Sequence, residues 1–312
     1  SDALCRVHCD YGDGVLLSEP GLVHHFRVPT TADSPREICL SAPPSPHDRK
    51  LVVSALPTQG PASLILFGDP SPNPDVFATI ASRLADEHAD AAIFLGDAVS
   101  CGSDIDQWQH DFFDRAGDWF ARVPHYWIAG NHDHDADILR TLLQHPGSQD
   151  LWQITIANTH LVGIDGSRNW AEPKRQQALV QALSSQAQRT LLFTHFPATS
   201  STPHSRNDAE GRAVEAEVRI AREVILPLCR SHQVDAIISG HAHCYERIET
   251  PGDPIQISSG GAGGFLYRAK DPHPHSRVFQ AQHHYCRLSL SHDQCTLTAV
   301  ALDGTVLDVV AL

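Results

Sequence analysis

Five times along this chain a short apolar, β-prone run ends on a residue able to bind a metal. Ser63-Leu64-Ile65-Leu66-Phe67 runs into Gly68-Asp69, and Ala91-Ala92-Ile93-Phe94-Leu95 into Gly96-Asp97. His125-Tyr126-Trp127-Ile128-Ala129 runs into Gly130-Asn131-His132-Asp133, and Thr190-Leu191-Leu192-Phe193-Thr194 into His195. The fifth run, Ala236-Ile237-Ile238-Ser239, meets Gly240-His241-Ala242-His243-Cys244-Tyr245-Glu246-Arg247. Continuous apolar runs of this length read as buried strands, and glycine lets the backbone turn sharply where a strand stops. In an open α/β sheet, ligands sit in the crevice outside the carboxyl ends of the strands. Five such ends can therefore converge on one site.

Each signal alone is ordinary. Gly-Asp and Gly-Asn after a strand are common turn chemistry, and a chain with 21 His contains His-X-His pairs by chance. The order carries the information. GD, GD, GNHD, H and GHAHCYER resemble the metallophosphoesterase superfamily, most closely its purple acid phosphatase branch. The GHxHxYER ending is characteristic of that branch, with Cys244 at its variable position. The resemblance spans roughly residues 62–265. It implies an α/β fold, a four-layer αββα sandwich of two mixed sheets, in keeping with the alternation of strands and helices.

The resemblance also implies a site. Two metals ~3.5–4 Å apart can generate a nucleophile, here a bridging hydroxide, and hold attacking and leaving oxygens in line. Asp97 matches the family's bridging carboxylate; Asn131, His195 and His241 match the other ligands of the second metal, and Asp69 and His243 those of the first. This mixture of O and N donors suits Zn, Fe or Mn, as two divalent or trivalent ions, rather than a closed thiolate site. His132 matches the residue that contacts the phosphoryl oxygens, and Asp133 beside it is expected to orient the ring. His204, nine residues after His195, is a candidate general acid. His134 has no family counterpart.

Two departures bear on the first metal. The branch's GDxxY tyrosine is replaced in Gly96-Asp97-Ala98-Val99-Ser100, and the D-x-H histidine of most other metallophosphoesterases is replaced in Asp69-Pro70-Ser71. Cys101 is one residue out of register. The first site is left with Asp69, Asp97 and His243, and is expected to bind its ion more weakly. The expected function is a dinuclear metal-dependent phosphoesterase, a hydrolase acting on phosphate monoesters. The alternatives are a phosphodiesterase on the same core, or a metal-binding protein of this fold with weak or lost catalysis.

Composition narrows partners. Lys+Arg 23 against Asp+Glu 37 gives a net charge of −14, which argues against a broad nucleic-acid surface. A small phosphorylated substrate remains compatible, because bound cations would dominate the field inside the site. No apolar run reaches the ~20 residues a membrane helix needs. The chain begins at Ser1 and contains no Met, the trace that a mature or trimmed form leaves. Its relatives by resemblance are often exported, so a periplasmic or secreted location is the expectation. The eight cysteines lack the spacing of a small disulfide scaffold. Cys5 and Cys9 read as a local disulfide or unpaired thiols, in preference to a metal cluster. Oligomeric state is not legible.

Residues 1–60 read as a small β-rich segment, with strands at Gly21–Val28 and Arg36–Leu40 and a stiff Pro43–Pro46 linker; residues 61–312 read as the catalytic domain. Helical spacing covers Pro74–Asp86, Asp106–Val123, Glu172–Ser184 and Glu215–Arg230, and the aromatic stripe of the second reads as core. A strand is expected at Leu161–Asp165. The run Ser259-Gly260-Gly261-Ala262-Gly263-Gly264 reads as a close-packed loop, with a phosphate cradle as its alternative. Asp271–His275 reads as exposed loop, and Tyr285–Leu312 as three strands with turns between them, Cys286 and Cys295 flanking the first.

Overall fold

A computed structural model of the chain describes residues 8–11, 14–17, 36–41, 49–53, 56, 60–133, 137–142 and 150–312. The expected strand at 21–28, the linker at 43–46, Cys5 and His134 lie outside these residues. Seventeen strands are described, in chain order β1 (His8–Tyr11), β2 (Gly14–Leu17), β3 (Arg36–Ser41), β4 (Arg49–Val53), β5 (Ala62–Phe67), β6 (Ala91–Phe94) and β7 (His125–Trp127). These are followed by β8 (Leu151–Ile156), β9 (Thr159–Ile164), β10 (Arg189–Thr194), β11 (Ala236–Ser239), β12 (Tyr245–Ile248) and β13 (Ile255–Ser259). The last are β14 (Ser276–Gln280), β15 (His284–Leu290), β16 (Cys295–Ala301) and β17 (Val306–Ala311). The first four form an antiparallel sheet in the order β2-β1-β3-β4.

The remaining strands form two mixed sheets, of six in the order β17-β16-β15-β5-β6-β7 and of seven in the order β14-β12-β13-β11-β10-β9-β8. Within the first, β5, β6 and β7 are parallel, and in the second β9, β10, β11 and β13 are parallel. Alternation within each apolar run explains the layering. Leu64 and Leu66 of β5 face inward and meet Leu161, Leu191, Phe193 and Ile238 of the opposite sheet. Their neighbours Ile65 and Phe67 face outward onto Phe77, Ile80, Trp108 and Phe112. On the far side, Val162, Leu192 and Ile237 meet Leu179, Leu183, Ile225 and Cys229. Parallel strands buried on both faces need such continuous apolar sequence. The result is the helix–sheet–sheet–helix sandwich expected.

The helices carry their own start signals. Pro74–Leu84 and Pro173–Leu183 both open on proline, whose fixed φ and missing N–H suit a first turn. Asp104 caps the next helical stretch by accepting from the Asp106 N–H. That stretch runs from Ile105 to Phe120 with a π-helical segment at Trp108–Phe113, and its Trp108, Phe112 and Trp119 are buried, as core. A second π-helical segment, Ala221–Ile225, interrupts the helical stretch from Ala216 to Ser231. Strands β8, β12 and β14 have no counterpart among the sequence expectations; β12 and β14 carry too few alternating residues to stand out from loop, whereas Trp152-Gln153-Ile154-Thr155-Ile156 of β8 does alternate. Ala157 and Asn158, both at positive φ, close the β8–β9 hairpin, the geometry of a two-residue primed turn. Cys39, Cys101, Cys229, Cys244, Cys286 and Cys295 form no disulfide. Among the described residues no helix is long and apolar enough to cross a membrane.

The GHAHCYER motif anchors the site to the rest of the fold. Tyr245 Oη donates to Asp308 at 2.8 Å, and Arg247 Nε donates to the same carboxylate at 2.7 Å, tying β12 to β17. Glu246 is buried and accepts from the main-chain N–H and the hydroxyl of Ser201 and from Ser276 Oγ. It thereby fixes the loop that carries His204. The glycine run is the close-packed loop. A Cβ at Gly263 would collide with the Pro70 carbonyl, so this backbone lies against the strand end that bears Asp69.

Candidate metal centre

Six non-glycine residues among those described adopt positive φ, and three of them are Asp69 (59°), Asp97 (58°) and His241 (63°). Left-handed backbone is costly for residues with a Cβ and persists where the surroundings hold it. Here each follows a glycine at a strand end, and the turn aims the side chain into the crevice. Gly96 is required twice over. Its φ is +99°, and a Cβ there would stand 2.6 Å from His195 Nδ1 and 2.7 Å from the Gly130 nitrogen.

The structure gathers five of the six expected ligands into two groups that share a carboxylate. Asp69, Asp97 and His243 form one, and Asp97, His195 and His241 the other; within each, one ligand atom per residue lies within 4.8 Å of the others. Asn131, the sixth, joins the second, its Oδ1 3.1 Å from His195 Nε2, which is also 3.4 Å from Asp97 Oδ2. Main-chain and carboxylate acceptors set the tautomers. His195 Nδ1–H donates to the Leu95 carbonyl at 2.7 Å, leaving Nε2 for the crevice. His243 Nδ1–H donates to the Phe265 carbonyl at 3.0 Å, and its Nε2 lies 3.5 Å from Asp69 Oδ1. His241 uses Nε2 to donate to Glu215 Oε2 at 2.8 Å, so Nδ1 is the nitrogen left for a metal. A second oxygen partner on the far nitrogen is how metal-ligating histidines are oriented and made more basic.

The electrostatics favour cations. Burial alone would lower the pKa of His195, but Asp97 and then Asp69 outweigh it and push the ring up to about 10. His243 is raised in the same way, Asp69 overcoming desolvation. Asp97 in turn sits below the ordinary carboxylate value, because His195 and His132 offset its burial. Two buried carboxylates that draw protons onto neighbouring imidazoles, in a set of O and N donors, fit Zn, Fe or Mn ions.

Asp133 departs from expectation. Its carboxylate is fully buried and accepts from the main-chain N–H groups of Asp97 at 2.7 Å, Ala98 at 2.8 Å and Gly130 at 3.1 Å. It does not hold the His132 ring. Instead it clamps the two strand-end loops that bear Asp97 and Asn131, and desolvation together with the charge of Asp97 raises its pKa. The His132 ring is exposed, and its Nδ1–H donates to the Ser100 carbonyl at 3.0 Å, while the His132 main-chain N–H donates to Asp97 Oδ1 at 2.9 Å. A backbone carbonyl thus does the orienting that adjacency in sequence suggested for Asp133.

The two positions lacking a replacement ligand lie against each other, with Ser71 Oγ and Ser100 Oγ 2.5 Å apart. The two sequence-distant ligand positions of the relatives therefore reach one place, filled here by a pair of hydroxyls. Cys101 Sγ lies 3.2 Å from Ser103 Oγ and belongs to neither ligand group.

Two residues with no local sequence signal complete the site. Glu215, at the start of the 216–231 helical stretch, accepts from His204 Nδ1 at 2.8 Å with one oxygen and from His241 with the other. Burial opposes its charge, but these two histidines hold its pKa at about 2. The His204 and His241 rings are 4.1 Å apart, and the Tyr267 ring is 4.9 Å from each of His204 and His243. Glu215→Gln keeps the shape and removes the charge that holds both rings. The loss of such an outer partner typically costs ~10–100-fold in metal affinity or activity. We expect that loss in the affinity of the second site, with the first site unchanged, measured by metal titration; unchanged affinity at both would remove Glu215 from the metal centre.

Sheets that open their carboxyl ends onto two cation-attracting groups with a carboxylate in common are the arrangement of a metallophosphoesterase. The calcineurin-like phosphoesterase family model matches residues 62–245, more than half of the chain. The chain belongs to the calcineurin-like phosphoesterase family. No curated protein matches it. Among solved structures, the purple acid phosphatase PPD1 from yellow lupin (Lupinus luteus) seeds is similar, with a TM-score of 0.79 and 16% identity over 99% of this chain and 69% of that one. PhoD is similar at a TM-score of 0.65 and 10% identity, over 99% of this chain and 82% of that one. GAP50, described as the anchor in the inner membrane complex of Plasmodium, is similar at 0.63 and 17%, over 81% and 89%. At these identities the likeness shows the fold.

Proposed function

We propose that this protein hydrolyses phosphate monoesters at two metal ions that share Asp97. The observation that carries the reading is the pair of ligand groups joined at Asp97, with the exposed His132 ring hung from Ser100 beside them. Asp69, Asp97 and His243 would hold the first ion, and Asp97, Asn131, His195 and His241 the second. When bound, such ions supply a nucleophile near neutral pH and neutralise charge on the transferring phosphoryl group. The protein's own share is positioning and proton control. His132 Nε2, without a partner among the described residues, donates to a phosphoryl oxygen when the ring carries both protons, Nδ1–H being committed to Ser100. His204, held by Glu215, serves the leaving group as proton donor.

The first site has fewer protein donors, since serines stand at positions 71 and 100. Fewer donors mean weaker binding, and open positions suit a catalytic ion. We expect the second site to fill first, the first site to empty on dialysis against chelator and refill with added metal, and the iron-loaded protein to lack the purple colour that tyrosinate gives in the branch. Elemental analysis, a spectrum after iron loading and a paired assay on aryl phosphate mono- and diesters test this together. Faster diester cleavage would make it a phosphodiesterase. Tight metal with neither activity would make it a binding protein, a role consistent with the anchor described for Plasmodium GAP50. Two ions that both resist chelator would overturn the weak first site.

A further inference from the structure

A cavity of about 650 Å³ opens between the loop Thr199–Asn207, which also carries His204, and the segment Lys270–Pro274. Arg206, Arg222 and Lys270 line it, with Asp271 the one carboxylate among its lining residues. None of the three cations forms an ion pair with a carboxylate among the described residues. In a chain with 37 acidic against 23 basic residues, three neighbouring cations without such a partner are unexpected as mere surface charge.

Arg222 is fixed by neutral acceptors alone. Its Nε donates to the Ala198 carbonyl at 3.0 Å, its Nη1 to Asn207 Oδ1 at 2.7 Å and its Nη2 to the Ser205 carbonyl at 3.4 Å. These bonds hold the guanidinium in place without cancelling its charge, and a planar fork of donors suits phosphate or carboxylate. The two walls are pinned together at Ser201, whose hydroxyl accepts from the His273 N–H at 2.9 Å and whose carbonyl accepts from the Lys270 N–H at 3.0 Å. Buried Glu246 holds Ser201 from below. The cavity is therefore formed before any ligand arrives, which lowers the cost of binding, and its size is that of small-molecule sites. His204 lies between the lining residues Pro203 and Ser205, so one loop serves both the cavity and the metal centre.

We infer that this cavity binds a second anionic group of the substrate, so that the preferred esters carry a further phosphate or carboxylate beyond the phosphate that is cut. The word substrate rests on the phosphoesterase reading; the binding of an anion in the cavity does not. The test uses the metal-loaded protein and three non-hydrolysable probes on one alkyl spacer: a monophosphonate, a bisphosphonate and a phosphonocarboxylate. Calorimetry of the wild type should show the bisphosphonate or the phosphonocarboxylate bound at least ~10-fold more tightly than the monophosphonate, the magnitude of one or two charge-assisted hydrogen bonds. The better of the two identifies the anion. In the double variant Arg206→Ser, Lys270→Ser, both side chains being exposed, the preference should fall several-fold, Arg222 alone remaining, while monophosphonate affinity stays unchanged. With hydrolysable counterparts, KM for the two-anion ester should rise by the same factor and kcat should hold. Equal binding of all three probes by the wild type, or a preference undiminished in the double variant, overturns the inference. Should no ester be cleaved at all, the phosphoesterase reading fails, and the calorimetric difference still decides the cavity.

Discussion

Asp97→Ala should empty both metal sites and abolish hydrolysis in one step. Its carboxylate belongs to both ligand groups, and no other residue does. It also accepts from the His132 main-chain N–H and lies 3.4 Å from His195 Nε2. Removing it takes a donor from each ion, lessens the negative charge that draws cations to the crevice, and loosens the loop that presents His132. The fold should survive, because the inter-sheet core is built from the strands and Asp133 still clamps the Asp97, Ala98 and Gly130 amides. The measurement pairs metal content after dialysis with hydrolysis of an aryl phosphate. A variant that retained both ions, or activity near that of the wild type, would refute the shared role.

His132→Ala should separate the two readouts that Asp97→Ala joins. Its ring is exposed and, among the described residues, pairs only with the Ser100 carbonyl, so its loss costs the fold little and leaves every proposed ligand in place. Metal content should match the wild type. The rate should fall by ~10²–10⁴, the range for removing one positioned acid–base group or one charge-stabilising donor. The fall should appear in kcat, because the interaction strengthens as charge builds on the phosphoryl oxygens. A change confined to KM would make His132 a binding residue only. Metal loss would mean that the ring supports the ligands.

The placement of the site was legible because its signals are local. A glycine at the end of a β-prone run, followed by Asp, Asn or His, is written within a few residues, and parallel strands in a sheet bring such ends to one edge. The four-layer fold was legible from the alternation of strands with helices and the order of the motifs, but Leu64-Ile65-Leu66-Phe67 is apolar throughout, so which of them face the other sheet and which the helices was not. The glycine run was readable as close packing because no helix follows it.

What depended on distance in the chain was not legible. Glu215 reaches His204 and His241 from the start of a helix, and nothing in its neighbours marks it. Tyr267 meets the rings of His204 and His243 from a loop that reads as unremarkable sequence. Asp133 stands next to His132 in sequence, yet the turn after β7 sends one side chain inward to three amides and the other outward to Ser100. The meeting of Ser71 with Ser100 after the paired strands β5 and β6, and the gathering of Arg206, Arg222 and Lys270 around one cavity, join segments far apart in the chain. Sequence pattern by itself set which residues end strands and which runs are buried, because apolar runs and turn chemistry act over a few residues. Tertiary structure alone decided which distant partners fix each histidine's tautomer and which charges are left without a counterion, because hydrogen bonds and Coulomb forces act between whatever the packed fold brings within a few ångströms.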